Sequence, residues 1–158
     1  MSGTQLADPL AMAYLARKGV AMQWRGFLRA LVETLDANME PDSRDALLRA
    51  VGGRMAQLSP MPACTTLGEL ESRMNDVLAA ADWGFVQVAL DNQARVLLLT
   101  HSAAPIVTTH HDAAGAWVCA VLEGLYAAWL AAQPGAEGGV PLKRQPATPG
   151  SVVLRYGR

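Results

Sequence analysis

The stretch from Ala113 to Ala132 carries one charged side chain, Glu123, in twenty positions. No other feature of the chain constrains its fold as tightly. A helix of that length would reach about 30 Å, the thickness of a bilayer's hydrocarbon core. Yet Glu123 lies near its centre, where a carboxylate is costly in lipid. No Lys or Arg flanks the stretch closely, and alanine is a weak membrane anchor. The expectation is therefore a long buried helix, with Asp112 as its cap and Gln133-Pro134-Gly135 as its stop. Apolar residues lie on every side of it, so one neighbouring layer cannot bury it all. The remainder implies a surface for self-association. The candidate interface residues are Trp117, Val121, Glu123, Leu125, Tyr126 and Trp129.

The rest of the composition agrees with a single globular domain. The 158 residues are 51% hydrophobic, but 28 of them are alanine, the best helix former. Charged residues make up only 17%, low for a monomer that keeps its whole surface in water. The net charge of −1 excludes a general nucleic-acid binder. Cys64 and Cys119 are too few and too far apart for a disulfide framework or a zinc site, and read as buried thiols. The N-terminus has no basic segment followed by an apolar run, so a cytoplasmic protein is expected.

Hydrophobic spacing predicts the elements. Residues 1–22 form an N-terminal segment, mobile over Met1 to Asp8, with a short helix from Pro9 to Lys18 capped by Asp8. Residues 23–158 form the domain. Trp24, Phe27, Leu28, Leu31, Val32 and Leu35 follow the spacing of one buried helical face, ending near Asn38. A third helix opens at Pro41, with Leu47, Leu48, Val51, Met55 and Leu58 on its stripe. Gly52-Gly53 inside it costs helix stability, and such a pair marks the close passage of another backbone. Thr66-Leu67-Gly68-Glu69 is a capping-box pattern that starts a fourth helix. The period then changes to that of strands, at Phe85 to Leu90 and Ala94 to Thr100, joined by a turn at Asp91-Asn92. His101 to His111 reads as a loop. Val140 to Lys143 and Val152 to Tyr156 are short closing strands. The class is α+β, with several N-terminal helices and one long apolar helix on a small antiparallel sheet of hairpins.

No residue pattern amounts to a catalytic site, and no cofactor or metal is expected. His101, His110 and His111 share the loop with Asp112, but adjacent histidines are poorly spaced for one tetrahedral site. Glycine pairs lack a phosphate-loop lysine. Glu123 reads as a carboxylate at a subunit boundary or paired with an arginine, with Arg44, Arg49 and Arg54 as candidates. A general acid is the less favoured reading. Trp83, Trp117, Tyr126 and Trp129 could stack on sugar rings, but read first as core and interface anchors.

Three segments bear a resemblance. They are Leu48 to Ala56, with Gly52 and Met55; Asn75-Asp76-Val77-Leu78 with Trp83-Gly84-Phe85-Val86; and Val121-Leu122-Glu123-Gly124-Leu125-Tyr126 with Trp129 and Gln133-Pro134-Gly135-Ala136. Together they resemble the D-subunit family of bacterial cellulose synthase. The resemblance implies a non-catalytic accessory protein of exopolysaccharide secretion and biofilm formation. It implies a ring-like homo-octamer built from dimers, which orders synthase complexes so that glucan chains emerge aligned and crystallise. The implied partners are other cellulose synthase complex subunits, a proline-rich accessory protein and the glucan chain. The implied location is cytoplasmic, near the inner membrane, with a periplasmic glucan conduit as the alternative and a small-ligand sensor as a further one. No glucan-contact residue carries over.

Overall fold

A computed structural model describes residues 8–148 and 150–158. The expectation for residues 1–7 lies outside them. Among the described residues there are five helices and four strands. In chain order they are α1 (Pro9–Lys18), α2 (Met22–Asn38), α3 (Pro41–Leu58), α4 (Leu67–Ala80), β1 (Phe85–Asp91), β2 (Val96–Ser102), α5 (Val118–Ala131), β3 (Leu142–Gln145) and β4 (Ser151–Tyr156). All strand pairings are antiparallel, in the order β1-β2-β4-β3. The α+β class follows directly.

Local chemistry explains the helix starts. The Asp8 carboxylate accepts from the Leu10 N–H at 3.0 Å, with Pro9 in the first turn where its missing donor is harmless. The Thr66 hydroxyl accepts from the Glu69 N–H at 3.1 Å. The Glu69 carboxylate reaches back, though to the Thr65 N–H at 2.9 Å rather than to the cap residue itself. Those bonds hold the Glu69 carboxyl below its ordinary range, the Thr65 backbone bond contributing most.

The apolar helix is shorter than expected. It begins at Val118 and runs for 14 residues, where the sequence suggested Ala113 to Ala132. The cause is Gly115, whose φ of +68° no right-handed helix tolerates. Residues 113–117 form turns instead, and the Asp112 carboxylate accepts from the Trp117 N–H at 3.0 Å, one turn ahead of the helix. Among the described residues no helix is long and apolar enough to cross a membrane.

Helix α5 is the middle layer, with α3 on one side and the sheet on the other. Val86, Leu99, Val152 and Leu154 point inward from the strands and are buried against it. Two glycines set the α3–α5 spacing. A Cβ at Gly52 would overlap the carbonyl oxygen of Val121, and a Cβ at Gly124 would overlap the carbonyl of Arg49. Each glycine thus faces the other helix's backbone. Gly53 faces open space, so only one of the neighbouring glycines serves the contact.

Helix α4 lies along the outer edge of β1 and seals it. Asn75 donates to the Val86 carbonyl at 2.9 Å and accepts from the Val86 N–H at 2.8 Å. Glu71 accepts from the Val88 N–H at 2.6 Å. Side chains here replace the ladder bonds that a further strand would make.

Gly52→Ala is expected to destabilise the fold by about 3 kcal/mol, because two backbones must separate to admit one methyl group. Gly53→Ala is expected to stabilise it by up to about 1 kcal/mol through helix propensity. Denaturant melts of the two variants would check the pair.

Candidate functional site

Glu123 sits on the face of α5 nearest the end of the sheet and is 8% exposed. One carboxylate oxygen accepts from Arg49 Nε of α3 at 3.2 Å. The other accepts from Arg144 of β3, through Nε at 3.0 Å and through Nη2. Of the three arginines the sequence offered as partners, Arg49 makes the contact; Arg44 pairs instead with Asp36 and Asp45, and Arg54 donates to Gln57. Arg144 was missed, because nothing in sequence spacing brings β3 to α5. Burial opposes the charge on Arg144, but the hydrogen bond and charge of Glu123 outweigh it and raise its pKa. One carboxylate therefore ties together α3, α5 and β3.

The other residues expected at an interface serve the chain's own core. Trp117, Val121, Leu125, Tyr126 and Trp129 are all buried within a single chain. Two layers cover α5, where the sequence argument allowed for one. The indole N–H of Trp117 donates to the Val107 carbonyl at 2.8 Å, and that of Trp129 to the Ser59 carbonyl at 2.9 Å. Tyr126 packs edge-on against Trp129 with ring centroids 5.9 Å apart. These ring faces are occupied and offer nothing to a sugar.

His101 departs most from its reading as a solvated loop residue. It belongs to β2, on the inner face of the sheet, and is fully buried. Its Nε2 donates to the Trp83 carbonyl at 2.7 Å, which fixes the tautomer. Its Nδ1 is left to accept from the Tyr126 hydroxyl at 2.5 Å. Burial pulls its pKa down to about 4, and burial likewise raises that of Tyr126. The ring is thus a neutral structural link between sheet and helix. The period-2 spacing of Leu97, Leu99 and His101 carried a signal for this, masked by the two later histidines. His110 and His111 are exposed in the loop.

The exposed apolar surface lies elsewhere, on α1 to α3. Helix α2 touches α3 along a narrow line and buries only Val32 fully. Trp24 and Phe27 are more than half exposed and pack edge to face at 5.7 Å. Leu31, Leu47, Val51 and Leu58 are exposed beside them, as are Leu10, Tyr14 and Leu15 on α1. Between α2, α3 and α5 runs a groove of about 320 Å³, bounded by apolar side chains such as Leu28, Leu35, Leu48, Val51 and Val121. The sequence marked Trp24, Phe27 and Leu31 as buried. Their spacing identifies an apolar face, but not what covers it.

Nearly the whole of this arrangement falls within one family match. The chain fits the family model for the D subunit of cellulose synthase over residues 10–157. It belongs to the cellulose synthase D-subunit family. It is 34% identical over 138 residues to the cellulose synthase operon protein D of Komagataeibacter sucrofermentans, covering 84% of this chain and 88% of that one. Two proteins of the same name from Komagataeibacter xylinus are 33% identical over 138 residues, with the same coverage, and 36% identical over 112 residues, covering 71% and 72%. The family match thus takes in the Glu123 link, the α3–α5 glycines and the apolar band on α2. Among the described residues no three His, Cys, Asp or Glu side chains are grouped to hold a metal ion.

Two outcomes test this site. Glu123→Gln is expected to cost about 1–2 kcal/mol, less than a fully buried pair, because both arginines can turn to water. A urea titration measures it. For His101 the folded pKa of about 4 lies below the reference value of 6.5. The unfolded chain therefore binds the extra proton, and stability present above pH 6.5 falls as pH drops toward 4. The slope approaches about 1.4 kcal/mol per pH unit. His101→Gln is expected to flatten melting temperature between pH 6.5 and 5, above the main carboxylate range.

Proposed function

We propose that this chain is a non-catalytic, self-associating scaffold of the bacterial cellulose synthase machinery. It would hold synthase complexes in an array so that their glucan chains emerge side by side and crystallise. The observation that carries this reading is the apolar band on α1, α2 and α3. A patch of this extent on a water-facing surface marks an association site. Covering the exposed half of a Trp, Phe or Leu side chain returns about 1 kcal/mol each. Trp24, Phe27, Leu31, Leu47, Val51 and Leu58 together therefore contribute about 6 kcal/mol per copy toward the cost of association. The band thus takes the role expected of the α5 residues, which are already enclosed.

The assembly follows the family: an octamer built from dimers, with the other synthase subunits and a proline-rich accessory protein as its partners. Repetition of one weak docking surface around a ring raises the effective concentration of those partners. The cytoplasmic face of the inner membrane is the proposed location. Two free, half-buried thiols, Cys64 and Cys119, suit a reducing compartment.

One observation favours a second reading, direct contact with glucan in a periplasmic conduit. Trp24, Phe27 and Tyr14 present exposed rings on neighbouring helices, and flat rings match the C–H faces of a glucan.

Light scattering at micromolar concentration is expected to give the mass of eight chains. Phe27→Glu combined with Val51→Glu is expected to lower that mass while leaving the circular dichroism melt intact, since both positions are half exposed. A stable monomer for the unaltered chain would overturn the scaffold reading. Cello-oligosaccharide binding that disappears in Trp24→Ala, with the assembly unchanged, would support the conduit instead.

A further inference from the structure

The two edges of the sheet are treated differently. At β1 the outward N–H and C=O of Val86 and the outward N–H of Val88 are bonded by side chains of α4. At β3 no element plays that part among the described residues. The register identifies the open groups. The Gly157 N–H donates to the Pro141 carbonyl at 3.1 Å, so these two residues form a hydrogen-bonded pair. Bonded and non-bonded pairs alternate along an antiparallel ladder. Lys143 and Gln145 therefore direct their backbones to β4, opposite Arg155 and Val153. Leu142 and Arg144 direct theirs outward. Among the described residues only the Arg144 carbonyl finds a partner on that side, the neighbouring side-chain amide of Gln145 at 3.1 Å.

The charge around this edge is one-sided. Residues 140–158 include Lys143, Arg144, Arg155 and Arg158 and no Asp or Glu. Arg144 is engaged by Glu123, and Arg158 lies 4.0 Å from Glu137. Lys143 pairs with no Asp or Glu among the described residues, and Arg155 donates only to the backbone oxygens of Gly157 at 3.4 Å and Arg158 at 3.3 Å. Lys143 and Arg155 stand directly opposite each other in register, on the sheet face turned away from α5. Like charges in that position are destabilising. Among the described residues, the fold therefore carries an electrostatic cost at the one strand edge that it leaves open.

We propose that the β3 edge docks an extended acidic segment of a partner protein, which adds to the sheet as a fifth strand. The backbone of Leu142 and Arg144 would supply the ladder bonds, and carboxylates on the outward face of the segment would meet Lys143 and Arg155. Charge complementarity selects this occupant. A second copy pairing antiparallel through the same edge would set the Lys143 side chains of both copies together, so the edge repels its own twin. The Arg144–Glu123 bond fixes β3 against α5, which holds the edge in shape before the segment arrives. The apolar band on α1 to α3 lies outside this edge, so the proposal stands whether or not the chain self-associates.

The test uses the full chain and a synthetic octapeptide of alternating Glu and Thr. Binding by fluorescence anisotropy is expected to weaken at least tenfold between 50 mM and 300 mM salt. It is expected to weaken at least tenfold in Lys143→Glu and less in Lys143→Gln. The amides of Leu142 and Arg144 are expected to exchange more slowly with the peptide present. A peptide N-methylated at alternate residues is expected not to bind. Equal binding of the N-methylated peptide would overturn strand addition, and equal binding by Lys143→Glu would overturn the site. Binding to phosphatidylglycerol vesicles through Lys143, with none to the peptide, would reassign the surface to a membrane and overturn the proposal. The Phe27→Glu, Val51→Glu variant is expected to bind the peptide like the unaltered chain, which separates this test from that of the scaffold.

Discussion

Helices α3 and α5 touch backbone to backbone, and the rest of the molecule is arranged around that contact. Gly52 and Gly124 remove the two Cβ atoms that would hold the helices apart. Close approach brings Arg49 within reach of Glu123 and allows the apolar side chains of α5 to fill the space on its other side, against the sheet. A helix with apolar residues all round needs cover on two sides, and the glycine contact provides one of them at the shortest separation. Widening it by a methyl group would lengthen the Arg49–Glu123 bond and loosen the packing around Val121 and Leu125 together.

Polar links then set which elements meet. The Glu123 carboxylate joins α3, α5 and β3, and the His101–Tyr126 bond joins β2 to α5. Each such group would be costly if buried alone, so each accepts only an arrangement that satisfies it. These links fix α5 over the sheet in one position, where apolar packing by itself would tolerate several. The α4 side chains do similar work at the β1 edge. The interior is thus strongly specified, while the outer face of α2 and the β3 edge are left open. Both proposed contacts lie on that open periphery.

Much of this was legible in the chain. The helix starts at Pro9 and Pro41, the Thr66 cap, the β1–β2 turn and the α+β class follow from local rules of capping, period and turn chemistry. Gly52 also announced a close backbone, because a glycine inside a helix needs a reason. The limits are equally specific. Gly115 shortened α5, since a left-handed glycine is decided by the loop it serves and not by apolar content. His101 was grouped with His110 and His111, although β2 continues through it and turns it inward. Arg144 could not be found as a partner of Glu123, because the two meet only when β3 folds over the end of α5.

The six α5 residues and the α2 stripe mark the division between sequence and structure. The sequence by itself determined which faces are apolar, since period and composition are properties of the chain. It also placed the chain in its family through the segment around Glu123. Which apolar face is covered was decided by the tertiary structure. Helix α5 found two layers and disappeared between them, while α2 leaned on α3 along a narrow line and kept Trp24 and Phe27 in water. The physical reason is that burial is a property of pairs of surfaces. A sequence specifies one member of each pair, and only packing supplies the other.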